Sequence, residues 1–154
     1  MRVHNRERAK GVNPRMLQLL DKWEAEGTHE VCVAVHGGLR VDQAVQSALS
    51  AGGMSAATTL KRTPHGRGGA LDVYPLSFLP FVPVANGGTA RRWGAWDELP
   101  QQVRDEFKAF GVFAEKHGYK WGGRWVGHDY PNGDQPHCEL IDWQKLPFPP
   151  PIYA

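Results

Sequence analysis

Cysteine is scarce in this 154-residue chain, which has only Cys32 and Cys138. Two cannot knit a disulfide scaffold, and so few suit a protein made in a reducing compartment. Both sit in apolar, strand-like runs where a thiol behaves as a small hydrophobe, so no bond between them is expected. Long apolar runs are missing as well. The longest uncharged apolar-rich stretch, Val73 to Ala90, holds three prolines, whereas a membrane-spanning helix needs about 20 predominantly apolar residues. Net charge is nearly absent: +2 over the whole chain gives no argument for a nucleic-acid partner. The basic N-terminus has no apolar segment behind it, so a secretory signal is not expected.

Glycine and proline are abundant, at 18 and 12 residues, which implies many turns and long loops rather than a helical bundle. The length suits one domain with a real core, expected to be monomeric. Residues 1–12 read as a flexible basic leader, 13–146 as the domain and 147–154 as a proline-rich tail. Asn13-Pro14 is a helix start, with Asn as cap and Pro at the first helical position. Met16, Leu19, Leu20 and Trp23 then recur at helical spacing until Gly27. Val31 to Val35 reads as a buried strand. Val41, Ala44, Val45, Ala48 and Leu49 give a second amphipathic helix, stopped by Gly52-Gly53. Ala70 to Tyr74 reads as a strand, and residues 75–96 as a long loop with a turn at Asn86-Gly87-Gly88. Pro100 opens a third helix with Val103, Phe107, Phe110 and Ala114 on one face. Tyr119 to Trp121 and His137 to Ile141 complete a small sheet, expected to be antiparallel. The fold class is α+β, with about three helices around that sheet.

Four polar residues carry the chemistry. His65 and Asp72 share the segment Thr63-Pro64-His65-Gly66-Arg67-Gly68-Gly69-Ala70-Leu71-Asp72, and Asp134 and His137 share Asp134-Gln135-Pro136-His137. Two histidines and one carboxylate suit catalytic zinc, one ion per chain, with a position left for water. Asp72 lies among apolar strand residues, where an unpaired carboxylate would be costly. Asp134, three residues before a candidate ligand, is placed to act as general base. Strand alternation points Cys138 away from the face that His137 uses. Glu139 shares that face, either orienting His137 or serving as a plain strand residue. His128 with Asp129 is the rival metal pair.

These segments also resemble a known family. The first is similar to the Ser-x-His-x-x-Gly-x-Ala-x-Asp signature of the zinc peptidases that cut bacterial cell-wall peptides: His65, Gly68, Ala70 and Asp72 match, and Thr63 keeps the hydroxyl of the usual Ser. The second resembles the family's Asp/Glu-x-x-His element, in the Asp-x-Pro-His form of phage L-alanyl-D-glutamate endolysins. Trp121-Gly122-Gly123-x-Trp125 resembles its Trp-Gly-Gly turn, and Gly38-Leu39-Arg40 with Gln43 its Gly-x-Arg element. One departure is Arg124, where the family often has an acidic residue.

The resemblance implies the zinc DD-peptidase, hedgehog-like fold and hydrolysis of an amide in peptidoglycan stem peptides. It assigns zinc to His65, Asp72 and His137, the base to Asp134, and oxyanion stabilisation or a substrate carboxylate grip to Arg40. Lys61, Arg62 and Arg67 can do the same, though each is more simply a solvent-facing charge. Thr63 and Trp121 are expected at the substrate. Trp121 and Trp125 wall the cleft on this reading, or else pack in the core. The expected activity is that of a phage endolysin, made in the host cytoplasm and released to peptidoglycan in the periplasm. The alternatives are a D-alanyl-D-alanine carboxypeptidase and a non-catalytic wall-binding domain.

Overall fold

The first helix, α1 (Pro14–Glu26), begins where Asn13 caps it, its side-chain oxygen accepting from the Arg15 N–H at 2.9 Å. Its inward face is Met16, Leu19, Leu20 and Trp23, all buried. Gly27 ends the helix because a Cβ there would stand 2.4 Å from the Trp23 ring. The computed structural model describes residues 1–51, 55, 57–82, 96–127, 130 and 132–153. Gly52-Gly53, the 83–95 part of the expected long loop with its Asn86-Gly87-Gly88 turn, and the His128–Asp129 pair lie outside the described residues.

Among the described residues, five strands form one sheet in the order β1-β2-β3-β5-β4. They are β1 (Val3–His4), β2 (Val31–Val33), β3 (Ala70–Pro75), β4 (Lys120–Trp121) and β5 (His137–Glu139). β3 is central, antiparallel to both β2 and β5, and β4 is antiparallel to β5. β1 departs from the expectation twice. It pairs parallel with β2, Val3 opposite Val31, and it comes from the segment read as a flexible leader. Val3, Ala9 and Val12 are buried in the main core, so the apolar residues between the basic ones tie this segment down. β2 is shorter than the predicted run. The chain turns at Ala34–Gly37, where the Gly37 N–H reaches the Ala34 carbonyl and His36 adopts φ 57°.

Helix α2 (Gln43–Ala51) starts later than predicted, with the Asp42 carboxylate accepting from the Ala44 N–H at 2.8 Å. Its expected apolar face does not form: Val41 is 74% exposed and the fully buried residue is Gln46. The inner side of this helix meets a polar interior, and periodicity presumes an apolar one. Helix α3 (Gln101–Lys116) buries Val103, Phe107, Phe110 and Ala114 as the spacing predicts. Phe110 and Ala114 join the main core, while Val103 and Phe107 form a second cluster with Phe78. Phe78 lies in a 3₁₀ turn over Leu76–Phe81, within the stretch read as loop. The proline-rich end returns to the body: Asn13 donates to the Tyr153 hydroxyl at 3.2 Å, and the Arg67 guanidinium lies over the Phe148 ring. Cys32 and Cys138 are both buried and free. No helix among the described residues is long and apolar enough to cross a membrane.

Alternation sorts the central strands. Leu71, Val73 and Cys138 belong to the main core, leaving Asp72, His137 and Glu139 on the opposite face. The contact of α3 with the sheet is tight at Gly111, where a Cβ would fall 2.1 Å from the Trp121 ring. Alanine is the better helix former by about 1 kcal/mol, but overpacking a core typically costs about 1–3 kcal/mol. Trp121 cannot easily yield, since its indole N–H donates to the Gln135 carbonyl at 2.8 Å. Gly111→Ala is therefore expected to destabilise the chain by about 1 kcal/mol or more despite its helical preference. Urea unfolding tests this, and an unchanged or raised midpoint would contradict the packing argument.

Candidate metal centre

His65 is presented by a 3₁₀ turn over Pro64–Arg67, which the Thr63 hydroxyl caps by accepting from the His65 N–H. Glycine is required here on steric grounds: a Cβ at Gly66 would stand 1.9 Å from the Leu60 carbonyl oxygen, and Gly68 has φ 72°. Asp72 lies within β3 and His137 opens β5, directly opposite it in register. The Asp72 backbone is fixed by the Ala34–Gly37 turn, taking a hydrogen bond from the Ala34 N–H and donating to the Gly37 carbonyl. One donor atom from each of His65, Asp72 and His137 lies within 4.8 Å of the others. His65 Nε2 is 3.3 Å from His137 Nδ1 and 3.3 Å from Asp72 Oδ2, and His137 Nδ1 is 3.2 Å from Asp72 Oδ1. The structure brings the three predicted ligands together.

Outer contacts decide which nitrogens face inward. His65 Nδ1 lies 3.0 Å from the Gly38 carbonyl and so carries the proton, which leaves the Nε2 lone pair for a metal. His137 Nε2 lies 2.8 Å from Glu139 Oε1, which presents Nδ1 in the same way. Glu139 therefore takes the orienting role that sequence left open. Burial, aided by the Arg40 charge, lowers the pKa of His65. Burial opposes charge on His137 as well, but hydrogen bonds to Asp72 and Glu139 overcome it and push its pKa up to about 10. Burial works against the Asp72 carboxylate too, yet both imidazoles hold its pKa well below the usual range.

Arg40 is 7% exposed and heavily engaged. It donates from Nε to the His36 carbonyl at 2.9 Å, to Gln46 Oε1 at 3.2 Å and to Asp72 Oδ2 at 3.3 Å. The left-handed turn at His36 supplies the first acceptor. Gln46 completes the network by donating to Ser55 and to the Ala57 carbonyl. Sequence reasoning missed Gln46, one of two glutamines in the run read as apolar, and nothing in its spacing sets it apart from the exposed Gln43.

Asp134 stands beside the ligands, its Oδ2 3.9 Å from His137 Nδ1. The Trp-Gly-Gly turn seats it. The Asp134 N–H donates to the Gly122 carbonyl at 2.7 Å, and a Cβ on Gly122 would lie 2.5 Å from the Asp134 carbonyl oxygen. Trp121, expected at the substrate, is 5% exposed and belongs to the core. The half-buried Trp125 is the tryptophan of this motif that lines the cleft, its ring 4.9 Å from the His137 ring. Thr63 lines the cleft, with its hydroxyl already engaged in capping. Arg124 pairs with Glu115 at 3.0 Å and lies over the Trp121 ring, so that departure falls outside the cleft lining.

The cleft itself is about 440 Å³ and is bounded further by Tyr130 and Trp143. Two oriented imidazole nitrogens and one carboxylate form a donor set that suits a divalent ion with mixed nitrogen and oxygen preference. The donor set opens on the cleft, so a bound ion keeps a face for water or substrate, and Asp134 borders that face.

Comparison with known proteins agrees with this geometry. A family model described as D-alanyl-D-alanine carboxypeptidase matches residues 56–140. No curated protein gives a significant sequence match. Among solved structures, the crystal structure of Serratia marcescens L-Ala D-Glu endopeptidase ChiX is similar, with a TM-score of 0.59 at 21% identity over 94% of this chain and 92% of that one. That likeness speaks for the α+β fold. The family match takes in more than half of the chain and all four residues of the centre, so the chain belongs to the D-alanyl-D-alanine carboxypeptidase family of peptidases.

Proposed function

We propose that this chain is a zinc-dependent endopeptidase that hydrolyses the L-alanyl-D-glutamyl amide of peptidoglycan stem peptides. The observation that carries the reading is the convergence of His65, Asp72, His137 and Asp134 on one wall of the cleft. Zinc, when bound by His65 Nε2, Asp72 and His137 Nδ1, supplies a Lewis acid that polarises the scissile carbonyl and lowers the pKa of water to about 7. Asp134 takes a proton from the attacking water as its oxygen adds to the carbonyl carbon. The same carboxyl hands that proton to the nitrogen as the C–N bond breaks, leaving a carboxylic acid and an amine, which become carboxylate and ammonium as the acid proton passes to the amine. Arg40 acts through Asp72, holding the carboxylate and setting positive charge behind the centre where negative charge develops on the carbonyl oxygen.

The choice of bond draws on the Asp-x-Pro-His form of the second motif and on the fold shared with an L-Ala D-Glu endopeptidase. The family description keeps a second reading in view, removal of a terminal D-alanine. A role in phage-driven lysis, with release of the enzyme to the periplasm, is part of the proposal and rests on the endolysin resemblance alone.

Three measurements test these points. Metal analysis is expected to give one zinc per chain, and Glu139→Gln should weaken zinc affinity about 10- to 100-fold by loosening His137. Competition with a chelator reads that shift, and unaltered affinity would remove Glu139 from the metal site. Asp134→Asn should keep zinc and fold yet lose about 10²–10⁴-fold in kcat, because the amide cannot carry the proton. Near wild-type turnover on peptidoglycan would show that another group is the base. Mass spectrometry of digested muropeptides should find L-alanyl-D-glutamyl linkages cut and glycan strands intact. Stems shortened only by D-alanine would instead establish the carboxypeptidase.

A further inference from the structure

Among the described residues, the charges around the cleft are satisfied by one another, with one exception. Arg40 is bonded to Asp72, and His137 to Glu139. Of the three basic residues flanking the first motif, Arg67 is bound to the Lys61, Gln144 and Leu146 carbonyls, and exposed Lys61 does not border the cleft. Arg62 does border it, next to Thr63. Its guanidinium makes no hydrogen bond or ion pair among the described residues, and only its backbone N–H is engaged, to the Thr59 carbonyl. An exposed arginine at a random surface position has water all round. This one stands at the rim of a cleft whose other walls include the aromatic side chains of Trp125, Tyr130 and Trp143. There a planar fork of donors selects a carboxylate.

We infer that Arg62 sets the specificity of this cleft by gripping a free carboxylate on the substrate residue that supplies the scissile nitrogen. The inference rests on the peptidase reading for the position of the scissile amide. In the stem peptide, the D-glutamyl residue gives its amine to that amide and continues the chain through its side-chain carboxyl. Its α-carboxylate is thus free, one carbon from the scissile nitrogen. A terminal D-alanine presents a carboxylate at the same place. The ligand chemistry is shared, and the two sources separate by experiment. Arg40, buried and committed to Asp72, holds the metal ligand, while Arg62 meets the substrate.

The test compares zinc-loaded wild-type, Arg62→Gln and Arg62→Lys proteins on four peptides. Two contain L-alanyl-D-glutamate with the glutamyl α-carboxylate free or amidated, and two end in D-alanyl-D-alanine with the terminus free or amidated. Amidation of the glutamyl α-carboxylate should lower wild-type kcat/KM about 10-fold or more, mainly through KM, as expected for a hydrogen bond to a charged group. Arg62→Gln should lose a similar factor on the free acid and little further on the amide, with Arg62→Lys in between. The same coupling seen only with the terminal carboxylate would support the grip and assign its source to D-alanine. Equal losses on acid and amide in both pairs, or no loss at all, would overturn it. Equilibrium titration of the four peptides into zinc-loaded Asp134→Asn, with and without Arg62→Gln, reads the same discrimination in Kd. Carboxylate-dependent binding without cleavage by the wild type would sink the proposed function and leave the Arg62 grip standing. Binding indifferent to the carboxylate would sink the grip even if the wild type cuts.

Discussion

The pairing register of the two central strands is the constraint on which the site depends. Asp72 on β3 faces His137 on β5, and the neighbouring pair is Leu71 with Cys138. Because side chains alternate with a period of two, a slip of one residue in either strand would exchange a ligand for a core residue. It would bury a carboxylate or an imidazole against α1 and α3, and expose an apolar side chain to the cleft. Core burial of Leu71, Val73 and Cys138 therefore specifies the candidate metal-binding face as strongly as any polar contact does. The Ala34–Gly37 turn reinforces the register by clasping the Asp72 backbone from the other edge.

Around that pair the polar groups form one chain, from Arg40 to Asp72 to His137 to Glu139. Each is largely shielded from water and hydrogen-bonded to its neighbour, which is the condition under which burying such groups is tolerable. The network also restricts rotation. Glu139 and the Gly38 carbonyl hold the two rings in the tautomers that aim a lone pair inward, so little reorganisation remains for metal capture. Helix α2 serves this network more than it serves the hydrophobic core, since its buried residue, Gln46, is an arginine acceptor.

The sequence revealed the parts governed by local chemistry. Asn13-Pro14 marked the start of α1, Val103, Phe107, Phe110 and Ala114 marked the buried face of α3, and alternation placed His137 and Glu139 together, away from Cys138. The convergence of His65, Asp72 and His137 was readable because these residue types at that glycine spacing have few other uses. What stayed hidden depends on distant partners. β1 is two residues long and exists only because Val3 meets Val31, and no pattern within residues 1–12 announces that. The inner face of α2 was misread because periodicity assumes an apolar interior. Trp121 and Trp125 share one motif, yet only the packing of α3 decides that the first is core and the second borders the cleft.

That packing ties stability to chemistry. Trp121 fits because Gly111 and Gly123 lack side chains, and its indole N–H holds the Gln135 carbonyl between Asp134 and His137. Gly122 in turn lets the Asp134 backbone close onto the turn. The base candidate and a candidate metal ligand are therefore positioned by a tryptophan that does not line the cleft. A glycine pair beside a buried indole is a way to place a loop carboxylate with the rigidity of a core. It explains why Trp121 belongs with the polar motifs although its own side chain stays in the core, while Trp125 of the same turn stands against the His137 ring.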